Sequence, residues 1–185
     1  MKKIFVTGTE SFVGKELIKQ LDGSYSLSGC DLSEPSDGRF SRDDIRSENV
    51  ADLIPENVDV IIHLAALSTD LECRDNAYEC FDVNVMGTLN MINAAEKRKG
   101  KQFIFASTEW VYDSFSDDQE RTEDSVINIT NLNSEYALSK LVSESNLRQK
   151  YQRGFCDTTI LRFGIIYGSR KDNWSAVESI FSTVK

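Results

Sequence analysis

Histidine is nearly missing from these 185 residues: His63 stands alone, and there are two prolines and four cysteines. A single histidine excludes a histidine-rich metal centre. The cysteines, Cys30, Cys73, Cys80 and Cys156, form no CxxC pair and show no metal-ligand spacing. They read as reduced thiols of a cytosolic protein, with Cys30 and Cys156 in strands. Positive charge is also scarce, with 21 Lys and Arg against 30 Asp and Glu and a net charge of -9. That balance disfavours nucleic-acid backbones and anionic membranes as partners, since both need basic patches. No apolar run is long enough to span a bilayer. "MKKIFVTG" has too short an apolar core and no cleavage site for a signal peptide, so it reads as a first strand. No internal repeat or low-complexity segment is visible. The length fits one domain. With 40% hydrophobic residues, the chain can bury a sizeable core.

What is present is alternation. "IFVTG" (4–8) reads as a short strand and "SFVGKELIKQL" (11–21) as a helix, with Phe12, Leu17, Ile18 and Leu21 at helical spacing. "YSLSGCD" (25–31) is a second strand, and "SENVADLI" (47–54) a short capped helix. "VDVIIHLAA" (58–66) is nearly continuously apolar, as a strand buried on both faces should be. The spacing predicts a long helix over 76–99, a buried strand over 102–108 and a helix over 134–154 that opens on Ser134 and ends at Gly154. "DTTILRFGIIYG" (157–168) is a strand running into a turn. Strand–helix alternation of this kind implies an α/β fold, a doubly wound parallel sheet with helices on both faces. The acidic stretch 113–125 is either a solvated loop or a loop bordering a ligand at the strand ends. Over 172–185, Trp174, Val177, Ile180 or Phe181, and Val184 share one helical face with nothing evident to cover it, as expected of a chain that continues.

The stretch "VTGTESFVGKEL" joins a strand, a glycine-marked turn and a helix. Free backbone N–H groups and the positive end of a helix dipole meet there, which suits a pyrophosphate. Gly8 would allow the tight turn and Gly14 a close helix–sheet approach. Asp31 ends the second strand, where a carboxylate can accept from both hydroxyls of an adenosine ribose and repel a 2′-phosphate. NAD is therefore expected over NADP. "SEYALSK" places Tyr136 and Lys140 one helical turn apart on one face. A phenol must lose about 3 pH units, or roughly 4 kcal/mol, to act as a base near neutrality. An adjacent ammonium would supply part of that. Upstream, Ser107 and Thr108 end a buried strand, a usual place for active-site hydroxyls. His63 falls inside a strand and reads as structural.

Together these motifs resemble the extended short-chain dehydrogenase/reductase superfamily, in particular its NAD-dependent epimerase/dehydratase family. "TGTESFVG" is similar to the family's TGxxGxxG turn (Gly8, Ser11, Phe12, Val13, Gly14), and "RDDIR" holds Asp44 and Ile45 where the family contacts adenine. "VIIHLAA" resembles the fourth-strand motif, with Leu64, Ala65 and Ala66 beside the cofactor. "NVMGTLN" resembles the helix motif whose asparagine, here Asn84, lies near the nicotinamide half. The resemblance implies Thr108, Tyr136 and Lys140 as catalytic residues, with Tyr136 and Lys140 also touching the cofactor. It further implies an NAD-binding Rossmann domain over 1–168, and over 169–185 the start of a substrate-binding region whose remainder is missing. A sugar-nucleotide substrate and a homodimer follow from the same likeness, and the reduced thiols fit a cytoplasmic location.

Three departures refine this. Ser11 replaces the middle glycine and would crowd the pyrophosphate. Glu109 is followed by Trp110, where the family's dehydratases carry a carboxylate pair, which argues against a 4,6-dehydratase. Ile165 and Ser169 stand where sugar-nucleotide enzymes often have asparagine and proline. The expected activity is that of a sugar-nucleotide epimerase, working through a 4-keto sugar. The alternatives are an NAD(P)-dependent reductase or dehydrogenase of a non-sugar alcohol or ketone, and a nucleotide-binding module without turnover.

Overall fold

A computed structural model describes residues 1–112, 120–169 and 175–184. Six strands form one sheet: β1 (Lys3–Thr7), β2 (Ser26–Asp31), β3 (Phe40–Arg42), β4 (Val60–His63), β5 (Gln102–Thr108) and β6 (Asp157–Phe163). Every pairing is parallel, in the order β3-β2-β1-β4-β5-β6. The order reverses between β1 and β4, and strand ends that diverge at such a point open a crevice. The helices are α1 (Phe12–Leu21), α2 (Val50–Leu53), α3 (Asp70–Arg74), α4 (Ala77–Phe81), α5 (Thr88–Lys97), α6 (Glu135–Gln152) and α7 (Ala176–Thr183).

Alternation along β1 explains how the two faces are filled, because successive side chains point to opposite sides of a sheet. Phe5 joins Ile61, Phe103 and Phe105 under α2, α5 and α6, packing with Val50, Ile54, Met91, Ile92 and Leu147. Ile4 and Val6 join Leu27 and Ile62 on the opposite face, against Leu17, Ile18 and Leu21 of α1.

Several boundaries differ from the sequence reading. The apolar run 58–66 is strand only over Val60–His63, because Leu64–Ala66 leave the sheet to line the crevice. The helix expected over 76–99 is α4 and α5 joined by a π-turn, Asp82–Gly87. The helix expected over 47–54 shrinks to α2, and strand β6 stops at Phe163. Cys156 immediately precedes β6 rather than lying in it. The strand β3 and helix α3 carry no periodic signal and were not anticipated. Ser134 does cap α6, its hydroxyl accepting from the Ala137 N–H at 3.3 Å.

Helix α7 begins with a capping box between Ser175 and Glu178. Its Ile180, Phe181 and Val184 are 64%, 72% and 81% exposed. Trp174, expected on the same face, lies outside the described residues, as do residues 113–119 of the acidic stretch. The described remainder of that stretch, 120–125, does not line the crevice. Among the described residues, no helix is long and apolar enough to cross a membrane.

Candidate active site

A cleft of about 1260 Å³ opens over the carboxyl ends of the strands. Its lining draws on the β1–α1 turn, the end of β2, the segment after β3, the loop after β4, the end of β5 and the first turns of α6. Of the residues singled out in the sequence, Gly8, Ser11, Phe12, Val13, Asp31, Asp44, Ile45, Leu64, Ala65, Ala66, Thr108, Tyr136 and Lys140 all face it. Gly14 and Asn84 do not.

The β1–α1 turn is built by contact distances. Gly8 has φ +76°, and a Cβ there would sit 2.9 Å from the Ala65 nitrogen. A Cβ on Gly14 would come within 2.1 Å of the Gly8 carbonyl oxygen. Gly14 thus lets α1 close on the turn and stays out of the cleft. Ser11 is the N-cap of α1: its hydroxyl donates to the Gly8 carbonyl at 2.7 Å and accepts from the Gly14 N–H at 3.0 Å. The expectation that its side chain would crowd a phosphate is answered in part by this geometry. The oxygen is turned into the loop and replaces a missing glycine with a cap, worth about 1 kcal/mol to a helix.

At the end of β2 the carboxylate of Asp31 is held from two sides. Its Oδ2 accepts from the Glu10 N–H at 2.8 Å and its Oδ1 from the Ser33 N–H at 2.9 Å. Backbone donors fix its orientation and leave one acceptor direction on each oxygen. The turn-capping role and a ligand-binding role are therefore compatible. Beyond it lie Asp44 and Ile45. Leu64, Ala65 and Ala66 form an apolar wall, and the Ala65 N–H is anchored to the Thr7 hydroxyl at 3.2 Å.

At the opposite end, two hydroxyls of β5 separate by function. Ser107 donates to Glu144 Oε1 at 2.5 Å, and Glu144 also accepts from Arg162 Nε and Nη2 at 3.0 and 2.7 Å. Ser107 is thereby committed to a buried ionic network. Thr108 instead interacts with the phenol of Tyr136. Lys140 is 3% exposed, donates to the Ala106 carbonyl at 2.9 Å and stands 6.0 Å from the centre of the Tyr136 ring.

The sequence led us to expect Lys140 to depress the Tyr136 pKa. The structure shows the opposite balance. Burial pushes the phenol up to about 12, only partly offset by the hydrogen bond with Thr108. Burial also pushes Lys140 down to about 8. Two poorly solvated groups each favour their neutral form.

Asn84, expected beside the nicotinamide, is 1% exposed and works from behind the cleft. Its Oδ1 accepts from the Leu67 N–H at 2.9 Å, while its Nδ2 donates to the Leu67 carbonyl and to Ser139 Oγ, each at 3.0 Å. It ties the loop after β4 to α6, so its influence on the site runs through Leu67. His63 is structural, as expected. Thr88 Oγ1 donates to the Asn84 carbonyl at 2.6 Å, so it accepts from His63 Nε2 at 3.0 Å; Nδ1 then accepts from Thr7 Oγ1 at 2.7 Å. Burial lowers His63 to about 3, which keeps it neutral.

Sequence reasoning missed Glu144, Arg162 and Arg46. Glu144 lies one turn beyond Lys140 on α6, and that spacing was the available signal. Arg46 directly follows Asp44 and Ile45, yet nothing in the sequence shows that it turns back onto Asp44.

With this geometry in place, the comparisons are specific. A family model described as the NAD dependent epimerase/dehydratase family matches residues 4–184. The dTDP-D-glucose 4,6-dehydratase of Mus musculus is 30% identical, over 90% of this chain and 51% of its own length. An N-acetyl-alpha-D-glucosaminyl-diphospho-ditrans,octacis-undecaprenol 4-epimerase of Escherichia coli O157:H7 is 27% identical, over 90% of this chain and 50% of its own. The chain thus spans about half the length of these relatives. The crystal structure of the Thermus thermophilus UDP-glucose 4-epimerase with NAD superimposes with a TM-score of 0.84 at 23% identity, covering 97% of this chain and 61% of that one. At that identity the likeness establishes the fold.

Proposed function

The chain belongs to the NAD-dependent epimerase/dehydratase family, and from that premise we propose that it is the NAD-binding part, residues 1–168, of a sugar-nucleotide 4-epimerase. Residues 169–185 would then begin the substrate-binding region. The observation that carries the reading is one continuous cleft with a helix-capped glycine turn and Asp31 at one end, and Thr108, Tyr136 and Lys140 at the other.

The cleft fits a long ligand with an anionic middle. The amides of the first turn of α1 would hold a pyrophosphate. The acceptor directions left on Asp31 would take the ribose hydroxyls, and its charge would oppose a 2′-phosphate. Leu64, Ala65 and Ala66 would flank the cofactor. NAD, when bound, supplies an acceptor that can take a hydride and return it.

The chain's own groups would manage the proton. Tyr136 would take it from a sugar hydroxyl onto its phenolic oxygen and later give it back. Thr108 would donate a hydrogen bond to the same sugar oxygen, and Lys140 would hold the adjacent ribose. Burial holds Tyr136 up at about 12, so positive charge that enters the cleft with the ligands would favour its phenolate. A shared hydrogen-bonding frame around one oxygen contributes through proximity and preorganised dipoles.

The curated relatives divide between dehydratase and epimerase. Trp110, following Glu109, favours the epimerase, since elimination needs a second acid that tryptophan cannot provide. A Tyr136→Phe protein should still bind NAD and lose at least about a hundredfold in epimerisation of a UDP-sugar. Nucleotide-sugar epimers can be read by proton NMR and net NADH by absorbance. Full turnover in the variant would contradict the assignment. Stoichiometric NADH from an alcohol would replace the epimerase with a dehydrogenase.

A further inference from the structure

We propose that Glu10 is a positioning residue, whose side chain fastens the segment after β2 to the β1–α1 turn and so holds the Asp31 carboxylate in the orientation that favours NAD over NADP. The inference rests on the reading that this cleft takes NAD with its ribose on Asp31.

Glu10 stands in the glycine-marked turn, one residue before the N-cap Ser11. An acid has no evident place in a turn that would hold an anion. Its side chain is only 11% exposed, and both oxygens are engaged. Oε1 accepts from the Ser36 N–H and the Ser36 hydroxyl, at 2.8 and 2.9 Å. Oε2 lies 2.9 Å from Lys15 Nζ of α1.

These contacts close a ring. Asp31 Oδ2 accepts from the Glu10 N–H at 2.8 Å, and Asp31 Oδ1 from the Ser33 N–H at 2.9 Å. From Ser33 the chain runs on to Ser36, and Ser36 returns to Glu10. Every link of the ring ends on a carboxylate, the stronger kind of hydrogen bond. Glu10, Asp31, Leu32 and Ser33 all line the cleft.

The two donors on Asp31 differ in what holds them. The Glu10 N–H belongs to a turn that is anchored by its own backbone, where the Gly8 and Thr9 N–H groups reach the Cys30 carbonyl at 2.9 and 3.4 Å. The Ser33 N–H belongs to a segment whose residues Leu32, Ser33 and Glu34 are exposed. The exposed Arg42 touches that segment at the Leu32 carbonyl, at 3.2 Å, and at Glu34, at 3.7 Å. The Glu10–Ser36 contacts are shorter and tie it to the turn itself. Without them Asp31 keeps one firmly held donor instead of two. A carboxylate free to turn meets the two ribose hydroxyls less well, and can swing away from a 2′-phosphate that it would otherwise repel. The Ser36 N–H holds Glu10 below the usual carboxylate range, against the opposing effect of burial, so Glu10 stays an acceptor at neutral pH.

Calorimetric titration of the full chain with NAD and NADP tests this. Glu10→Ala should weaken NAD about fivefold, leave NADP unchanged or tighter, and cut the preference for NAD accordingly. Glu10→Gln keeps an oxygen for both Ser36 donors and should keep most of the preference. A double-mutant cycle with Asp31→Ala gives the decisive readout. In that background Glu10→Ala should change the preference by less than about twofold, because no carboxylate is left to orient. Should Glu10→Ala fail to fold by circular dichroism, Ser36→Ala carries the test. It removes one of the two donors, so a smaller fall in preference is expected, again absent in the Asp31→Ala background.

Equal weakening of NAD and NADP by Glu10→Ala would assign Glu10 a purely structural role. An unchanged preference would deny it any influence on Asp31. A loss as large in Glu10→Gln, or one that persists beside Asp31→Ala, would trace the effect to the Glu10 charge acting directly. Each of these overturns the inference and leaves the NAD reading standing. Binding of neither dinucleotide by the wild type, or equal affinity for both, would remove that reading, and the inference with it.

Discussion

Lys140 and Tyr136 illustrate what burial does to a catalytic pair. Lys140 sits at about 8 against an ordinary 10.5. Its folded pKa lies below its unfolded one, so the unfolded chain binds the proton more tightly between those values. Stability then rises as pH climbs from about 8 to 10.5, and below 8 the buried ammonium is a standing cost. Lys140→Met should therefore melt a few degrees higher than the wild type at pH 7. The gap should narrow as pH passes through that window in thermal scans. A variant that melts lower at pH 7 would show that the hydrogen bond to the Ala106 carbonyl outweighs desolvation. The residue types of this pair were legible in "SEYALSK", but the direction of the tyrosine shift was not. It depends on how much chain closes over the phenol, a tertiary quantity.

At the scale of elements, two helices carry the site. The start of α1 answers the question posed by Ser11. Because its hydroxyl faces Gly8 and Gly14 within the loop, Ser11→Gly should leave NAD affinity within about threefold and lower stability by only a few tenths of a kcal/mol. A tenfold gain in affinity would mean that the serine side chain does obstruct the ligand. In α6, Glu144 is 1% exposed and joins Ser107 to Arg162. Glu144→Ala would leave the Arg162 charge buried without its partner, at a cost of about 3–5 kcal/mol in urea denaturation. The α6 boundaries were legible because a cap and a glycine bracket it. The π-turn was not: apolar spacing near 3.6 reads as one helix, and one inserted residue is set by what Asp82 and Asn84 reach for on either side. Strand β3 is likewise only three residues long, formed by pairing with β2.

Across the whole molecule, strand order turns scattered motifs into a single site. The reversal between β1 and β4 brings Gly8, Asp31, Thr108 and Tyr136 to one cleft. The parallel sheet, its two covered faces and most cleft residues could be read from alternation and from the family likeness. Gly14 and Asn84, also singled out in the sequence, are buried supports outside the cleft lining, while Arg46 lines the cleft and was not singled out. The central claim is that this cleft binds NAD with its ribose on Asp31. A calorimetric titration of the chain with NAD and NADP, for wild type and Asp31→Ala, tests it most directly. The account predicts saturable one-site NAD binding to the wild type, at least about tenfold tighter than NADP, and loss of most of that preference in Asp31→Ala. No heat from NAD, or equal affinity of the wild type for both dinucleotides, would contradict it.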